Sequence, residues 1–164
     1  MTEDCIHTQL KLLTSEDCFV HRIVPASQGD TVILYSPRGG LDIHARIVFE
    51  SGMATKRHVN DLHMYISPLE GGQAWRLQYI RILGDKINRG YGTIMMEQLL
   101  ERAIQERIRF IDGRMQQAEH REHCARLRHF YTKFGFSIDE QYNLLWVNTM
   151  LQENRHEISK KGLA

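Results

Sequence analysis

The sequence predicts an α/β (α+β) fold in which helices cover both faces of a mixed, twisted central sheet. Two observations support this prediction. Short apolar runs bounded by turn residues fill the first half of the chain, as expected of strands. In the second half, two segments with helical spacing of apolar residues, 94–104 and 119–134, are separated by a predicted strand, 109–115, and followed by two predicted closing strands, 136–139 and 144–150. The chain therefore alternates between strands and helices after residue 74.

Residues 1–164 are expected to form a single domain. The chain contains no internal repeat, no low-complexity tract and no linker, and its three prolines are scattered among predicted turns. A chain of this length buries about two-thirds of the surface that its unfolded form exposes, so no disulfide or metal is needed for stability.

The first half of the chain contains a predicted hairpin. The apolar runs 31–36 and 43–49 flank the turn-forming residues Pro37, Arg38, Gly39 and Gly40. Apolar and polar residues then alternate over residues 62–67, which indicates a strand with one buried face. The neighbours of the hairpin have no clear period, so their structure stays open.

A further strand is predicted over residues 74–83, after a turn at 68–73. Polar residues fall at Arg76 and Gln78 and then at Arg81, so the alternation slips by one residue near Tyr79. Such a slip is typical of a β-bulge, which bends a strand and loosens its pairing.

A glycine-containing loop joins this strand to the next helix. The polar segment 85–89 is followed by Gly90, Tyr91, Gly92 and Thr93 and then by the helical spacing of residues 94–104. A helix that begins in such a loop directs unpaired N–H groups and the positive end of its dipole at the loop, which favours an anion. Taken alone, two glycines are equally well explained by a tight turn, and neither of the two familiar glycine-rich phosphate motifs is present.

The loop resembles a signature of the GNAT superfamily of N-acetyltransferases, which reads Arg/Gln-x-x-Gly-x-Gly/Ala at the start of a helix. Residues 87–92, Ile-Asn-Arg-Gly-Tyr-Gly, are this chain's version. The resemblance continues with the bulged strand before the loop and with residues 130–136, Phe-Tyr-Thr-Lys-Phe-Gly-Phe, which are similar to the family's Tyr-x-x-x-Gly-Phe segment. It covers roughly residues 62–148.

The resemblance implies an acyltransferase that uses acetyl-CoA as a co-substrate. An acetyl group would pass to a primary amine by direct attack in a ternary complex. Tyr131 lies where many members keep a tyrosine that protonates the leaving thiolate as a general acid, although its ring could also simply fill the core. The implied cofactor-binding residues are Ile82, Leu83, Ile87, Asn88, Arg89, Gly90, Tyr91, Gly92 and Thr93.

Three positions depart from the family's pattern. Ile87 replaces an arginine or glutamine that contacts phosphate, Cys124 replaces an asparagine that contacts the pantetheine arm, and Arg76 replaces a glutamate base. The base is therefore unassigned, and the departures motivate an alternative: a catalytically inactive acyl-CoA-binding or regulatory module with the same fold. Candidate bases are Glu70, Asp85, His63 and a chain of water molecules.

Charge and composition exclude some classes of partner. The chain has 21 Lys and Arg against 20 Asp and Glu, a net charge of +1, so neither direct nucleic-acid binding nor membrane binding is expected. Three cysteines without a redox-type or metal-type pair are typical of a reduced, cytoplasmic protein. The acceptor, a small-molecule or protein amine, stays open, and so does a homodimer.

Two further expectations concern metal sites and the ends of the chain. His120, His123 and Cys124 do not have the spacing of a standard zinc site, so no metal is expected, and Cys124 is expected to be a core residue. Residues 1–61 match the family poorly, whereas 62–148 form its cofactor-binding core. The charged segment 152–164 is expected to be a frayed tail.

Overall fold

A computed structural model describes residues 2–81, 90–115 and 121–151. These residues contain the helices α1 (Thr2–Ser15), α2 (Tyr91–Gln105) and α3 (Arg121–Lys133), and Thr149–Leu151 are also helical. In the same ranges, no helix is long and apolar enough to cross a lipid bilayer. The strands are β1 (Cys18–Pro25), β2 (Thr31–Pro37), β3 (Ile43–Val48), β4 (Leu62–Leu69), β5 (Ala74–Arg81), β6 (Phe110–Arg114), β7 (Ser137–Ile138) and β8 (Asn143–Val147).

The strands form a mostly antiparallel sheet in the order β1-β2-β3-β4-β5-β6-β8-β7. The strands from β1 to β4 pair antiparallel, and β5 and β6 form a parallel pair. Antiparallel pairing resumes between β6 and β8 and between β8 and β7. Mixed strand direction together with helices between the strands confirms the predicted α/β class.

The chain divides into two compact units. The first consists of Met1–Ile66 and Tyr79–Leu99, and the second of Ser67–Gln78 and Leu100–Ala164. A single domain over residues 1–164 stays a prediction from the sequence.

In the first unit, the predicted hairpin is confirmed as β2 and β3, and all six residues of β3 are buried. Helix α1 was not predicted. Its Ile6, Leu10 and Leu13 follow the i, i+4, i+7 spacing and pack with Ile33 and Tyr35 of β2, but their polar neighbours hide this period in a short window.

In the second unit, β6 lies between β5 and β8, and Gly113 faces Leu77 across the parallel pair. A β-carbon at position 113 would lie 2.8 Å from the carbonyl oxygen of Leu77, so glycine permits this close pairing. The predicted helix 119–134 is confirmed as α3, which ends before Gly135 at a φ of 91°.

Two predicted boundaries in this region change. The predicted closing strand 144–150 ends at Val147, and the predicted apolar stripe of α2 ends at Ala103, because Ile104 is 41% exposed. The bulge predicted near Tyr79 remains a prediction, since the register of β5 with β6 covers residues 75–77.

A buried polar cluster holds the first unit together. The Arg46 guanidinium on β3 pairs with the Asp61 carboxylate at 3.0 Å, and their side chains are 3% and 2% exposed. Tyr35 and Thr55 donate their hydroxyl protons to the same carboxylate, and Gln9 of α1 accepts a hydrogen bond from Arg46. The cluster connects α1, β2, β3 and the segment before β4. Each member of the cluster bonds either to the Asp61 carboxylate or to the Arg46 guanidinium.

We therefore expect Asp61→Asn to lower the free energy of unfolding by about 3 to 5 kcal/mol, because Arg46 would keep a buried charge without its counterion. Asp17→Asn is the matched control, since Asp17 and its partner Arg38 are 75% and 71% exposed, and it should change stability by less than about 1 kcal/mol. Urea denaturation measures both. Equal losses in the two variants would contradict the assignment of the cluster as the main constraint.

Candidate functional site

The first candidate site is the N-terminus of α2. The helix begins at Tyr91, three residues before the predicted start at Ile94, and the Gly90 carbonyl accepts its first hydrogen bond from the Ile94 N–H at 3.2 Å. Gly90 has a φ of +82°, which favours glycine, and a β-carbon there would meet no atom of the described residues within 4 Å. The N–H groups of Gly92 and Thr93 have no acceptor within the helix, so this end suits an anion.

The side chain of Tyr91 fixes the position of this helix end. Tyr91 is 1% exposed, and its hydroxyl donates to Oδ2 of Asp30 at 3.0 Å. The other oxygen of Asp30 accepts from the Glu50 N–H at 3.3 Å. Asp30 was not anticipated from the sequence, because a contact between residues so far apart leaves no local pattern. The phenol of Tyr91 is thus structural.

Part of the predicted cofactor site lies outside the described residues. This holds for Ile82, Leu83, Ile87, Asn88 and Arg89. It also holds for the base candidate Asp85. Their roles remain predictions from the sequence, whereas Gly90, Tyr91, Gly92 and Thr93 are placed at the start of α2.

Tyr131, the candidate general acid, lies in the second unit on the inner stripe of α3. It is 8% exposed, and the rings of Phe130 and Phe136 contact it edge-on with centroids at 5.3 and 5.6 Å. Within the described ranges, its hydroxyl makes no hydrogen bond, although a buried tyrosine usually finds a partner. Burial raises the pKa of Tyr131 to about 12. The phenol therefore keeps its proton at neutral pH and can donate it.

The exposed base candidate Glu70 and the departure Arg76 are each held by a partner of opposite charge. Glu70 accepts from Arg109 at 3.2 Å. Arg76 binds Asp112 of β6 through two parallel hydrogen bonds of 3.0 Å, so the departure at this position is satisfied by a carboxylate on the next strand. The one carboxylate on β5 and β6 is that of Asp112, which is bound to Arg76. It could replace the missing glutamate base only if this ion pair broke.

The second described base candidate, His63, belongs to a row of stacked rings in the first unit. His63 Nε2 lies 2.8 Å from Oδ2 of Asp42, and its ring stacks on His44 with centroids 3.9 Å apart. Burial, and then the neighbouring charge of His63, lower the pKa of His44 to about 4. The sequence signal that could have revealed this group is the spacing of Asp42 and His44, which places both on one face of a strand.

Cys124 and His123 do not form part of such a group. Cys124 is half-buried on the same stripe of α3 as Leu127 and Tyr131, whereas His123 is exposed. This arrangement agrees with the expectation that Cys124 packs against the core. His120 lies outside the described residues.

The first unit also contains a cavity of about 710 Å³. Its polar lining includes three cations, Arg46, Lys56 and Arg57, against one carboxylate, Glu16. The Arg57 Nε is buried and has no hydrogen-bond partner within the described ranges.

Solved structures with a similar chain path include acetyltransferases. A GNAT-family acetyltransferase from Listeria monocytogenes aligns at 15% identity and a TM-score of 0.42, over 64% of this chain and 64% of that one. Ard1 from Thermoplasma volcanium aligns at 12% identity and a TM-score of 0.45, over 63% and 69% of the two chains. Nourseothricin acetyltransferase aligns at 12% identity and 0.44, over 79% and 85%.

These likenesses concern the fold, and the matched region spans less than two-thirds of the Listeria chain. The GNAT-like fold named from the sequence is found again among them. No protein-family model and no curated protein matches the chain.

The raised pKa of Tyr131 predicts a pH dependence of stability. Above about pH 10 the unfolded chain loses phenolic protons that the folded chain retains up to about pH 12, so the free energy of unfolding falls across this interval. Tyr131→Phe removes this contribution and should make the fall less steep, as measured by urea denaturation at a series of pH values. An unchanged slope would show that the phenol ionises normally in the folded protein.

Proposed function

We propose that the chain, acting as a single domain over residues 1–164, is an N-acetyltransferase that moves an acetyl group from acetyl-CoA to a primary amine. The observation that carries this proposal is the start of α2, where a helix of 15 residues begins at a glycine with positive φ. The resemblance of residues 87–92 and 130–136 to the GNAT superfamily supports it independently of the geometry.

The chain's own groups at the start of α2 fit a diphosphate. The N–H groups of Gly92 and Thr93 lack acceptors within the helix, and the helix dipole adds partial positive charge. No atom of the described residues lies within 4 Å of a β-carbon placed at Gly90, so none of them blocks a bulky anion close to the backbone. Ile82, Leu83, Ile87, Asn88 and Arg89, which the resemblance assigns to the cofactor, would complete the site.

The acceptor amine would attack directly, in a ternary complex. Acetyl-CoA, when bound, supplies the acetyl group as a thioester. Tyr131 would hold on Oη the proton that the departing thiolate takes up, and this hydroxyl donates to no residue that the structure describes. Orientation of the two reactants would account for much of the rate, since a bimolecular step becomes effectively unimolecular.

The cofactor site can be tested by thermal unfolding. Saturating acetyl-CoA should raise the melting temperature of the wild-type protein, because a ligand that binds only the folded state stabilises it. Gly90→Asp should abolish the rise, since a carboxylate at the helix start repels phosphate.

Gly90→Asn is the matched control for this measurement. Asparagine has nearly the same shape as aspartate and the same tolerance of positive φ, but it carries no charge. It should retain most of the rise. If neither variant alters the rise, the cofactor does not bind at α2, and if the wild-type protein shows no rise, the proposal fails.

The role of Tyr131 can be tested separately by kinetics. Tyr131→Phe should lower kcat by about 10² to 10⁴-fold, the usual contribution of a general acid, and should leave the acetyl-CoA-induced rise in melting temperature intact. Release of free coenzyme A thiol, followed with a panel of polyamines, aminoglycosides, lysine and peptides with a free N-terminus, reports turnover. Tyr142→Phe serves as the control substitution, because Tyr142 directly precedes β8 and lies outside the proposed site.

Binding of acetyl-CoA without turnover on any acceptor would favour the inactive acyl-CoA-binding module. Turnover that survives Tyr131→Phe unchanged would assign the proton donor elsewhere. The two measurements therefore separate the cofactor site from the catalytic residue.

A further inference from the structure

The side chains of Asp42, His44 and His63 lie close together in the first unit. His44 on β3 and His63 on β4 are direct partners across the antiparallel pair, and Asp42 precedes β3 by one residue. One potential ligand atom from each residue lies within 4.8 Å of the other two. In the part of the chain that the structure describes, this is the one group of three such residues.

From this arrangement we propose that Asp42, His44 and His63 bind a divalent transition-metal ion of the Zn²⁺, Co²⁺ or Ni²⁺ type. Two imidazoles and one carboxylate are ligands that these ions accept, and three protein ligands leave a coordination position open for water or another molecule. The site is independent of the proposed acetyl transfer.

The carboxylate is already oriented for this role. Asp42 Oδ1 accepts a hydrogen bond from the Ile66 N–H at 2.9 Å, which leaves Oδ2 directed at His63 Nε2. A hydrogen bond from outside the ligand set commonly fixes the orientation of a metal-binding carboxylate. The backbone of β4 therefore positions the first ligand.

The two imidazoles are confined between aromatic rings. Tyr35 stacks on the far side of His44 with centroids 5.0 Å apart, and Tyr65 stacks on the far side of His63 at 3.5 Å. His44 is 7% exposed, whereas the side chains of His63 and Asp42 are 17% and 31% exposed. Solvent therefore reaches the group from the side of Asp42, and the open coordination position faces that way.

Metal binding requires a small adjustment of the stacked rings. Ligand atoms bound to one tetrahedral ion lie about 3.3 Å apart, closer than the limit of 4.8 Å that the group now meets. The imidazole rings are inclined at 26° to each other, and rotation about χ2 brings their nitrogens together. This torsion joins sp³ and sp² carbons and has a broad minimum, so the rotation requires no strained rotamer.

The test uses the full chain after removal of metal by a chelator. Isothermal titration with ZnCl₂ should give one ion per chain, and CoCl₂ should produce a visible absorption band from coordinated cobalt. His44→Phe, His63→Phe and Asp42→Asn should each weaken zinc binding at least about tenfold. The two phenylalanines retain the ring stack, and asparagine retains an acceptor for the Ile66 N–H. These substitutions therefore remove a ligand with little change in packing.

His21→Phe is the matched control, because His21 also lies on a strand of the first unit, contacts the Phe19 ring and lies outside the group. It should bind zinc with unchanged affinity. Nitrogen NMR of the wild-type histidines gives a readout that needs no variant, since one equivalent of zinc should shift the ring signals of two of the nine histidines.

Absence of a one-to-one complex would overturn the proposal. So would zinc affinity that the three ligand variants leave unchanged, or NMR shifts confined to histidines other than His44 and His63.

Discussion

The buried ion pair between Arg46 and Asp61 is the interaction on which the first unit depends. Removing two charges from water is costly, and their attraction offsets this cost only when the remaining donors and acceptors are also satisfied. The hydroxyl groups of Tyr35 and Thr55 donate hydrogen bonds to the carboxylate, and Gln9 accepts one from the guanidinium. Burial, together with the nearby charge of Asp61, raises the pKa of Tyr35 above its ordinary value, which keeps this donor protonated. Few alternative packings could satisfy so many groups at once.

Two tyrosines illustrate how burial assigns different tasks to the same side chain. Tyr91 is buried with its hydroxyl bonded to Asp30, so it anchors the start of α2. Tyr131 is buried between Phe130 and Phe136 with no bonded partner for its hydroxyl in the described residues. The first phenol is committed to structure, whereas the second donates to no described residue. Hydrogen bonding, which the residue type does not reveal, makes this distinction.

Polar rings occupy a row across the strands of the first unit where apolar residues would ordinarily suffice. Tyr35, His44, His63 and Tyr65 stack successively, and Tyr79 follows with centroids 4.2 Å from Tyr65. Apolar side chains could fill the same volume without the cost of burying an imidazole. Packing alone therefore does not account for the two histidines. The metal site that we propose for Asp42, His44 and His63 does.

The sequence by itself determined the features that depend on local periodicity and backbone geometry. Alternation over residues 62–67 fixed the buried face of β4, and the glycine at position 90 fixed the start of α2 to within a turn. Only the tertiary structure decided what comes together from distant parts of the chain. It paired Asp30 with Tyr91, Arg76 with Asp112, and Asp42 with His63. Helix α1 was missed for a related reason: its apolar face becomes recognisable only against the strands that it covers. Short-range patterns record the periodicity of one element, whereas these contacts arise when strands distant in sequence pair and bring their side chains to the same face.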